Sequence, residues 1–261
     1  MSELLDYGRA GRTLDLPDII DMHAHFGNWS WHIPDTTAAG LVAVMDRVGV
    51  RSMICSHMQC MGADCARGNR EVLAAMRAFP GRILGYLIVW PWSEAAVKAE
   101  VARCLDAGFV GAKLHDLSGF PYTHPGYTPV YEAAHERRLP ILFHTFGQDH
   151  QFAQVGEIAR RYPDATILVA HLRTMNEAGY YRIAREHPNV FVDTVGSSAA
   201  RGLVERGVAA IGADKIVWGS DAYCYGLPQQ IGKVLGAKIS DEDKVKILSG
   251  NARRILALRA R

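Results

Sequence analysis

Eight short apolar segments alternate with longer amphipathic segments along almost the whole chain, and this alternation limits the fold more than any other feature. The apolar segments lie at residues 18–25, 51–57, 83–90, 110–115, 140–146, 166–172, 190–195 and 216–222. Between them, apolar residues recur every three to four positions, which predicts helices. Strands that alternate with helices pair in parallel through right-handed crossovers, and near-continuous apolar runs indicate strands buried on both faces.

Eight such units predict an α/β fold of the closed (β/α)₈ type, the TIM barrel. An open, doubly wound sheet is the alternative, but no glycine-rich dinucleotide fingerprint follows the first strand. The 261 residues fit a barrel built as a single domain. We therefore expect a barrel over residues 18–261, preceded by an N-terminal extension over residues 1–17.

Charge and cysteine content exclude several function classes. The net charge is +2, and basic residues are scattered among acidic ones, so neither nucleic acid nor a membrane surface is an expected partner. No apolar run reaches the roughly 20 residues of a membrane span, and the first residues are too polar for a signal peptide, so a cytoplasmic location is expected. Five cysteines without a Cys-x-x-Cys pair argue against a disulfide framework. His57, Cys60 and Cys65 suggest either a structural metal site or reduced thiols, and the missing four-ligand spacing favours thiols.

Polar side chains gather where the predicted strands end, which in a parallel barrel is the edge that carries the active site. They are His23, His25, His57, Lys113, His115, His144, His171 and Asp221. Because strand side chains alternate between faces, His23 and His25 project to the same side and can share one cation. With His144 and Asp221 they provide three imidazoles and a carboxylate. This set predicts one divalent metal ion, foremost Zn²⁺, with Mn²⁺ or Fe²⁺ as alternatives.

The sequence resembles the amidohydrolase superfamily, specifically the amidohydrolase-related branch that includes aminocarboxymuconate-semialdehyde decarboxylase. The resemblance runs from residue 18 to 258 through the segments IIDMHAHFG, GAKLH, PILFHTFG, ILVAHL, VFVDTVGS, IVWGSDA and ILSGNARRIL. It implies that His23, His25, His144 and Asp221 are metal ligands. It also implies that His171 acts on water or substrate, although in two-metal relatives the matching histidine is a ligand. In a hydrolysis, Asp221 or His171 would move a proton to the leaving group. Members of the branch often form dimers, which leaves a homodimer open for this chain.

Two features near these residues concern the substrate. Lys113 and His115 share a face of the fourth strand, where some superfamily members carry a carboxylated lysine that bridges two metals. Lys113 could instead hold a substrate carboxylate, and we favour one metal. Arg173 stands where many relatives have glycine after the strand-six histidine. Its guanidinium is either a planar partner for a substrate carboxylate or a solvated loop residue.

Aromatic residues in the loops after the strands, including Trp29 and Trp31, suggest a pocket for a flat or unsaturated small molecule, although rings also fill gaps between loops. Ser197 and Ser198 lack a Gly-x-Ser-x-Gly elbow, which argues against a serine hydrolase. The leading prediction is a hydrolase that uses metal-activated water on an amide, ester or lactone. The alternative is non-oxidative decarboxylation of an unsaturated or aromatic acid. A barrel that only binds a ligand is a third hypothesis, disfavoured by the intact residue set.

Overall fold

Eight parallel strands, paired in chain order, form the centre of the computed structural model, which describes residues 2–16, 18–28, 30, 33–62, 64–196 and 200–259. The strands are β1 (Ile20–Phe26), β2 (Ser52–His57), β3 (Ile83–Leu87), β4 (Gly111–Leu114), β5 (Pro140–Phe143), β6 (Thr166–Val169), β7 (Val190–Asp193) and β8 (Ile216–Val217). This arrangement confirms the predicted single-domain (β/α)₈ barrel.

A helix follows each strand before the next one begins. These helices are α2 (Ala38–Val48), α3 (Cys65–Ala78), α4 (Glu94–Asp106), α5 (Thr128–Arg137), α6 (Asp149–Arg161), α7 (Glu177–Glu186), α8 (Leu203–Ile211) and α9 (Leu227–Leu235). Helix α1 (Glu3–Arg9) precedes the barrel and contacts α9, while α10 (Asp241–Val245) and α11 (Asn251–Ala257) follow it. Ser240 caps α10 by accepting a hydrogen bond from the Asp243 N–H. No helix in the described part of the chain is long and apolar enough to cross a membrane.

Backbone hydrogen bonds between β1 and the segment after β8 close the barrel. The N–H of Met22 donates to the Trp218 carbonyl at 3.0 Å, and the N–H of Asp221 donates to the His23 carbonyl at 2.7 Å. The predicted eighth strand, 216–222, is therefore only partly regular strand, because residues 218–222 bond to β1 outside a regular ladder. Closure places Asp221 beside His23, about 200 residues away in sequence.

The barrel interior is apolar at one end and polar at the other. Inside the apolar end, Met22, Ile54, Tyr86 and Leu168 pack together with Ile255 of α11, which covers the opening at the amino ends of the strands. A larger apolar layer lies between the strands and the surrounding helices. Burial of this apolar surface is the main term that stabilises the fold. The polar residues at the other end of the barrel are therefore available for binding or catalysis.

Several strands end earlier than their apolar segments do. Strand β6 stops at Val169, although the apolar segment continues to residue 172. Beyond it, His171 adopts a left-handed φ of 68°, which breaks the extended ladder and redirects the chain at the barrel mouth. The apolar pattern therefore predicts which residues are buried, but regular strand pairing includes fewer residues than the apolar segments do.

The side chain of Asn69 on α3 replaces a strand partner for Ile88, just beyond β3. Its Nδ2 donates to the Ile88 carbonyl at 2.9 Å, and its Oδ1 accepts from the Ile88 N–H at 3.0 Å. We expect Asn69→Leu to leave the N–H and the carbonyl of Ile88 unpaired. The free energy of unfolding, measured by urea denaturation, should fall by about 3 kcal/mol. Arg70→Leu, at an exposed neighbouring position, should change it by less than about 0.5 kcal/mol. Equal effects of the two substitutions would contradict this role of Asn69.

Candidate metal centre

His23 and His25 of β1 meet Asp221 at the polar end of the barrel. Their two Nε2 atoms lie 3.2 Å apart. The Oδ1 atom of Asp221 lies 3.6 Å from the His23 Nε2 and 3.2 Å from the His25 Nε2. All three side chains are buried. The strand alternation thus places the two predicted imidazoles and the predicted carboxylate around one small volume.

Asp193, at the end of β7, was not predicted as a site residue, yet its carboxylate is joined to this group. Its Oδ2 lies 2.7 Å from the His23 Nδ1, and its Oδ1 accepts the backbone N–H of His171 at 2.7 Å. When His23 donates from Nδ1, its Nε2 keeps a lone pair free for a cation. The available signal was a lone acidic residue inside the apolar segment VFVDTV, which by itself has many explanations.

His25 is held from its other nitrogen as well. Its Nδ1 lies 2.7 Å from the Ser56 Oγ on the neighbouring strand β2. Burial lowers the pKa of His25 below its usual value and that of His23 well below it. Both rings are therefore neutral near pH 7, which is the protonation state that binds metal.

The amine of Lys113, on β4, also reaches this group. Its Nζ lies 2.9 Å from the His23 Nε2, and the side chain is completely buried. Burial lowers the pKa of Lys113 to about 8. The Lys113 amine thus places a positive charge beside the lone pair of the His23 Nε2. The surrounding metal-binding donors favour a cation at this point.

His144 and His171 form a second pair beside the first. The His171 Nε2 lies 3.0 Å from the His144 Nδ1. Two nitrogens in this pair, the His144 Nε2 and the His171 Nδ1, are buried and have no hydrogen-bond partner in the described part of the chain. Burial lowers the pKa of His171 to about 3 and that of His144 well below its usual value. If His144 donates from Nδ1, its Nε2 lone pair remains free and His171 carries its proton on Nδ1.

Asp221 carries the negative charge of the site. Burial by itself raises its pKa, but the contacts with His23, His25 and His171 outweigh burial and hold the pKa well below the usual value. Its backbone φ is +54°, in the left-handed region that non-glycine residues rarely adopt. The carboxylate is therefore ionised and held in a constrained position, as is common for functional residues.

Donor atoms in the described residues form two groups close enough to hold a metal ion. The donors of His23, His171 and Asp221 lie within 4.8 Å of one another, and so do those of His115, Asp116 and His144. His115 stacks on His144 with ring centroids 3.8 Å apart. Of the four predicted ligands, His23 and Asp221 belong to the first group, His144 to the second and His25 to neither, and the two groups meet at the His144–His171 contact. The unpartnered His144 Nε2 and the mixture of imidazole and carboxylate donors fit a divalent ion such as Zn²⁺ or Mn²⁺.

A cavity of about 320 Å³ opens above these residues. Its lining consists of His25, Met58, Met61, His115, Leu117, His144, Phe146, His171, Arg173, Asp221, Cys224 and Tyr225. Arg173 and His115, both predicted to contact substrate, are on this surface, whereas Lys113 lies beneath it against His23. The Arg173 guanidinium lies 5.4 Å from the centre of the Phe146 ring, and its buried Nε has no hydrogen-bond partner among the described residues. The cavity is therefore lined by metal-binding donors, an apolar wall and the Arg173 guanidinium.

Other residues singled out in the sequence are placed elsewhere or not described. Trp29 and Trp31, and also Ser197 and Ser198, lie outside the described residues. Within the described part of the chain, His57, Cys60 and Cys65 do not form a group that could hold a metal. All five cysteines are free thiols, as predicted.

A family model described as Amidohydrolase matches residues 20–258. A search of curated proteins finds no match.

Solved structures with a similar fold include 2,6-dihydroxybenzoate decarboxylase from Rhizobium, at 18% identity and a TM-score of 0.73, covering 93% of this chain and 99% of that one. A dihydroxybenzoic acid decarboxylase from Polaromonas, with bound manganese and 2-nitroresorcinol, has 18% identity, a TM-score of 0.73 and coverage of 94% and 98%. A probable 2-pyrone-4,6-dicarboxylic acid hydrolase from Acinetobacter baumannii has 14% identity, a TM-score of 0.72 and coverage of 92% and 99%. At these identities the likeness establishes the fold alone.

The Asp193–His23 hydrogen bond predicts a measurable effect on metal affinity. We expect Asp193→Asn to weaken Zn²⁺ or Mn²⁺ binding by about 10- to 100-fold, because the amide orients His23 less well and removes a negative charge. Competition titration with a fluorescent chelator measures the affinity. Asp116→Asn is the matched control, because its carboxylate lies 3.0 Å from the His115 Nδ1. Unchanged affinity in Asp193→Asn, with a loss in Asp116→Asn, would instead indicate the His115, Asp116 and His144 group.

Proposed function

Since the chain belongs to the amidohydrolase family, we propose that it is a metal-dependent enzyme that decarboxylates a small, flat carboxylic acid without oxidation. One observation carries the proposal: in the described cavity, an apolar wall and the Arg173 guanidinium stand beside His171 and the metal-binding donors. A desolvated pocket favours release of neutral CO₂ from a charged carboxylate. The similar folds named as dihydroxybenzoate decarboxylases support this choice over the hydrolase predicted first.

We propose His23, His25, His144 and Asp221 as the residues that would hold the divalent ion. When bound, the ion would supply positive charge that polarises the oxygen atoms of the substrate. The chain's contribution is to fix the donors. Asp193 orients His23, Ser56 orients His25, and His171 orients His144. Zn²⁺, Mn²⁺ and Fe²⁺ are all compatible with these donors.

His171 is the proposed proton-transfer residue. In a decarboxylation, the electron pair of the broken C–C bond stays on the substrate carbon, which takes up a proton as CO₂ leaves. The buried Nδ1 of His171 has no hydrogen-bond partner within the described residues, and it belongs to a side chain that lines the cavity. Its contact with His144 keeps the ring in one orientation, so the nitrogen can pass a proton to the substrate.

Arg173 is the proposed anchor for a carboxylate of the substrate. The side chain is half-buried, and its Nε lacks a partner, so an anion would satisfy a donor that the described chain leaves free. The wall formed by Met58, Met61 and Phe146 is apolar and suits the face of a planar ring. The proposed substrate is therefore a planar, unsaturated or aromatic acid.

Hydrolysis of a lactone or ester is the second candidate. The ionised carboxylate of Asp221 lies on the cavity surface and could accept a proton from an attacking water molecule. The probable pyrone-dicarboxylate hydrolase among the similar folds is in keeping with this chemistry.

The two reactions are separated by their products. We would incubate the Mn²⁺- or Zn²⁺-loaded enzyme with a panel of hydroxybenzoic acids and carboxylated lactones, measuring CO₂ release and incorporation of ¹⁸O from labelled water. Decarboxylation predicts CO₂ and no labelled product. Labelled ring-opened product without CO₂ would replace the proposal by the hydrolase. Inactivity toward both groups of compounds would contradict both.

On the acid that is turned over, Arg173→Met is expected to raise KM by about 10- to 100-fold, with a smaller effect on kcat. The substitution removes a charge-assisted contact made to bound substrate and transition state alike. Steady-state kinetics measures both constants. Arg182→Met is the control, because that exposed side chain on α7 pairs with Asp149 at 3.5 Å. Equal KM values for wild type and Arg173→Met would exclude the anchor.

A further inference from the structure

A second cavity, of about 330 Å³, lies on the outer side of β7, between the first turn of α8 and helix α9. Thr194, Arg201, Gly202, Glu205 and Lys233 contribute to its lining, and none of them lines the cavity above the proposed metal ligands. Because strand side chains alternate, Asp193 points into the barrel toward His23 and Thr194 points outward. The second cavity is therefore separate from the candidate active site.

Among the residues that the structure describes, the hydroxyl of Thr194 has no hydrogen-bond partner, although Thr194 is only 2% exposed. A buried hydroxyl without a partner costs free energy, because it loses its hydrogen bonds to water on folding. A ligand in the cavity that Thr194 lines would supply the missing partner.

Lys233 adds a positive charge to the same cavity. Its Nζ donates to the Gly196 carbonyl at 2.8 Å, and in the described part of the chain the ammonium has no carboxylate partner. It is half-buried, and burial lowers its pKa to about 8, while the negative charges of Asp193 and Asp221 act in the opposite direction. Arg201 lies exposed at the rim. The one acidic residue of the described lining, Glu205, accepts the backbone N–H of Lys238 at 2.9 Å.

The start of α8 supplies backbone donors. Gly202 is its N-cap, with a left-handed φ of 81°, and no side chain caps the terminus among the residues that are described. The N–H groups of a first helical turn lack acceptors within the helix, and the helix dipole favours an anion there. The first of them in α8, that of Leu203, donates to the Ala200 carbonyl at 3.1 Å, so an anion would use the N–H groups of Val204 and Glu205. Three features thus provide hydrogen-bond donors or positive potential around one cavity: the Thr194 hydroxyl, the Lys233 ammonium and the N-terminus of α8.

From this convergence we propose that the second cavity binds a phosphate group. A tetrahedral dianion accepts several hydrogen bonds at once and would use the Thr194 hydroxyl, the Lys233 ammonium and the α8 N–H groups together. The volume has room for roughly ten water molecules, more than the five heavy atoms of phosphate need. The site would therefore accept inorganic phosphate or the phosphoryl end of a small phosphomonoester. The inference is independent of the proposed reaction.

Isothermal titration calorimetry of the full-length protein tests the site, with inorganic phosphate in one arm and glycerol 1-phosphate in the other, at constant ionic strength. Both Lys233→Met and Thr194→Val are expected to weaken phosphate binding by about tenfold or more, since each removes a donor to a charged group. Thr194→Val removes only an unpartnered hydroxyl and should fold as well as wild type. Lys98→Met, which removes one exposed charge from α4, should leave binding unchanged.

Tighter binding of the ester than of inorganic phosphate would identify a phosphomonoester as the ligand, and the reverse order would identify free phosphate. The proposal is wrong if neither compound binds wild type. It is also wrong if Thr194→Val and Lys233→Met bind phosphate as wild type does, because the anion would then occupy another place.

Discussion

Closure of the barrel between β1 and the segment after β8 is the constraint on which the site depends. The Asp221 N–H donates to the His23 carbonyl at 2.7 Å, and the Asp21 carboxylate accepts from the N–H groups of both His23 and Ser220 at 3.0 Å. These bonds join the two ends of the sheet in one register. A slip of one residue would turn the His23 and His25 side chains away from Asp221.

The same closure buries the negative charge of Asp221 among imidazoles that do not neutralise it. Burial keeps the imidazoles of His23 and His171 neutral, while Asp221 remains ionised in their midst. Lys113 brings a positive charge to within 2.9 Å of the His23 Nε2. A buried carboxylate surrounded by neutral imidazoles favours a cation, and this gives the polar end of the barrel a role in binding where the other end is stabilised by apolar packing.

The barrel could be predicted from the sequence because its signal, eight apolar segments separated by amphipathic ones, extends over the whole chain. The positions of His23, His25 and Asp221 followed from strand alternation and from the shared edge of a parallel sheet. Asp193 could not be found in this way, because its role depends on contact with His23, 170 positions earlier. The early end of β6 was also missed, because the left-handed φ of His171 leaves no trace in hydropathy. The cavity lined by Thr194 requires the packing of α8 and α9, which a single sequence does not specify.

We propose that His23, His25, His144 and Asp221 together hold one divalent ion. An anomalous-difference map from crystals of the Mn²⁺- or Zn²⁺-loaded protein would locate that ion. We expect one peak per chain, within bonding distance of the Nε2 atoms of His23, His25 and His144 and of the Asp221 carboxylate. A peak confined to His115, Asp116 and His144, or two peaks bridged by Lys113, would contradict it.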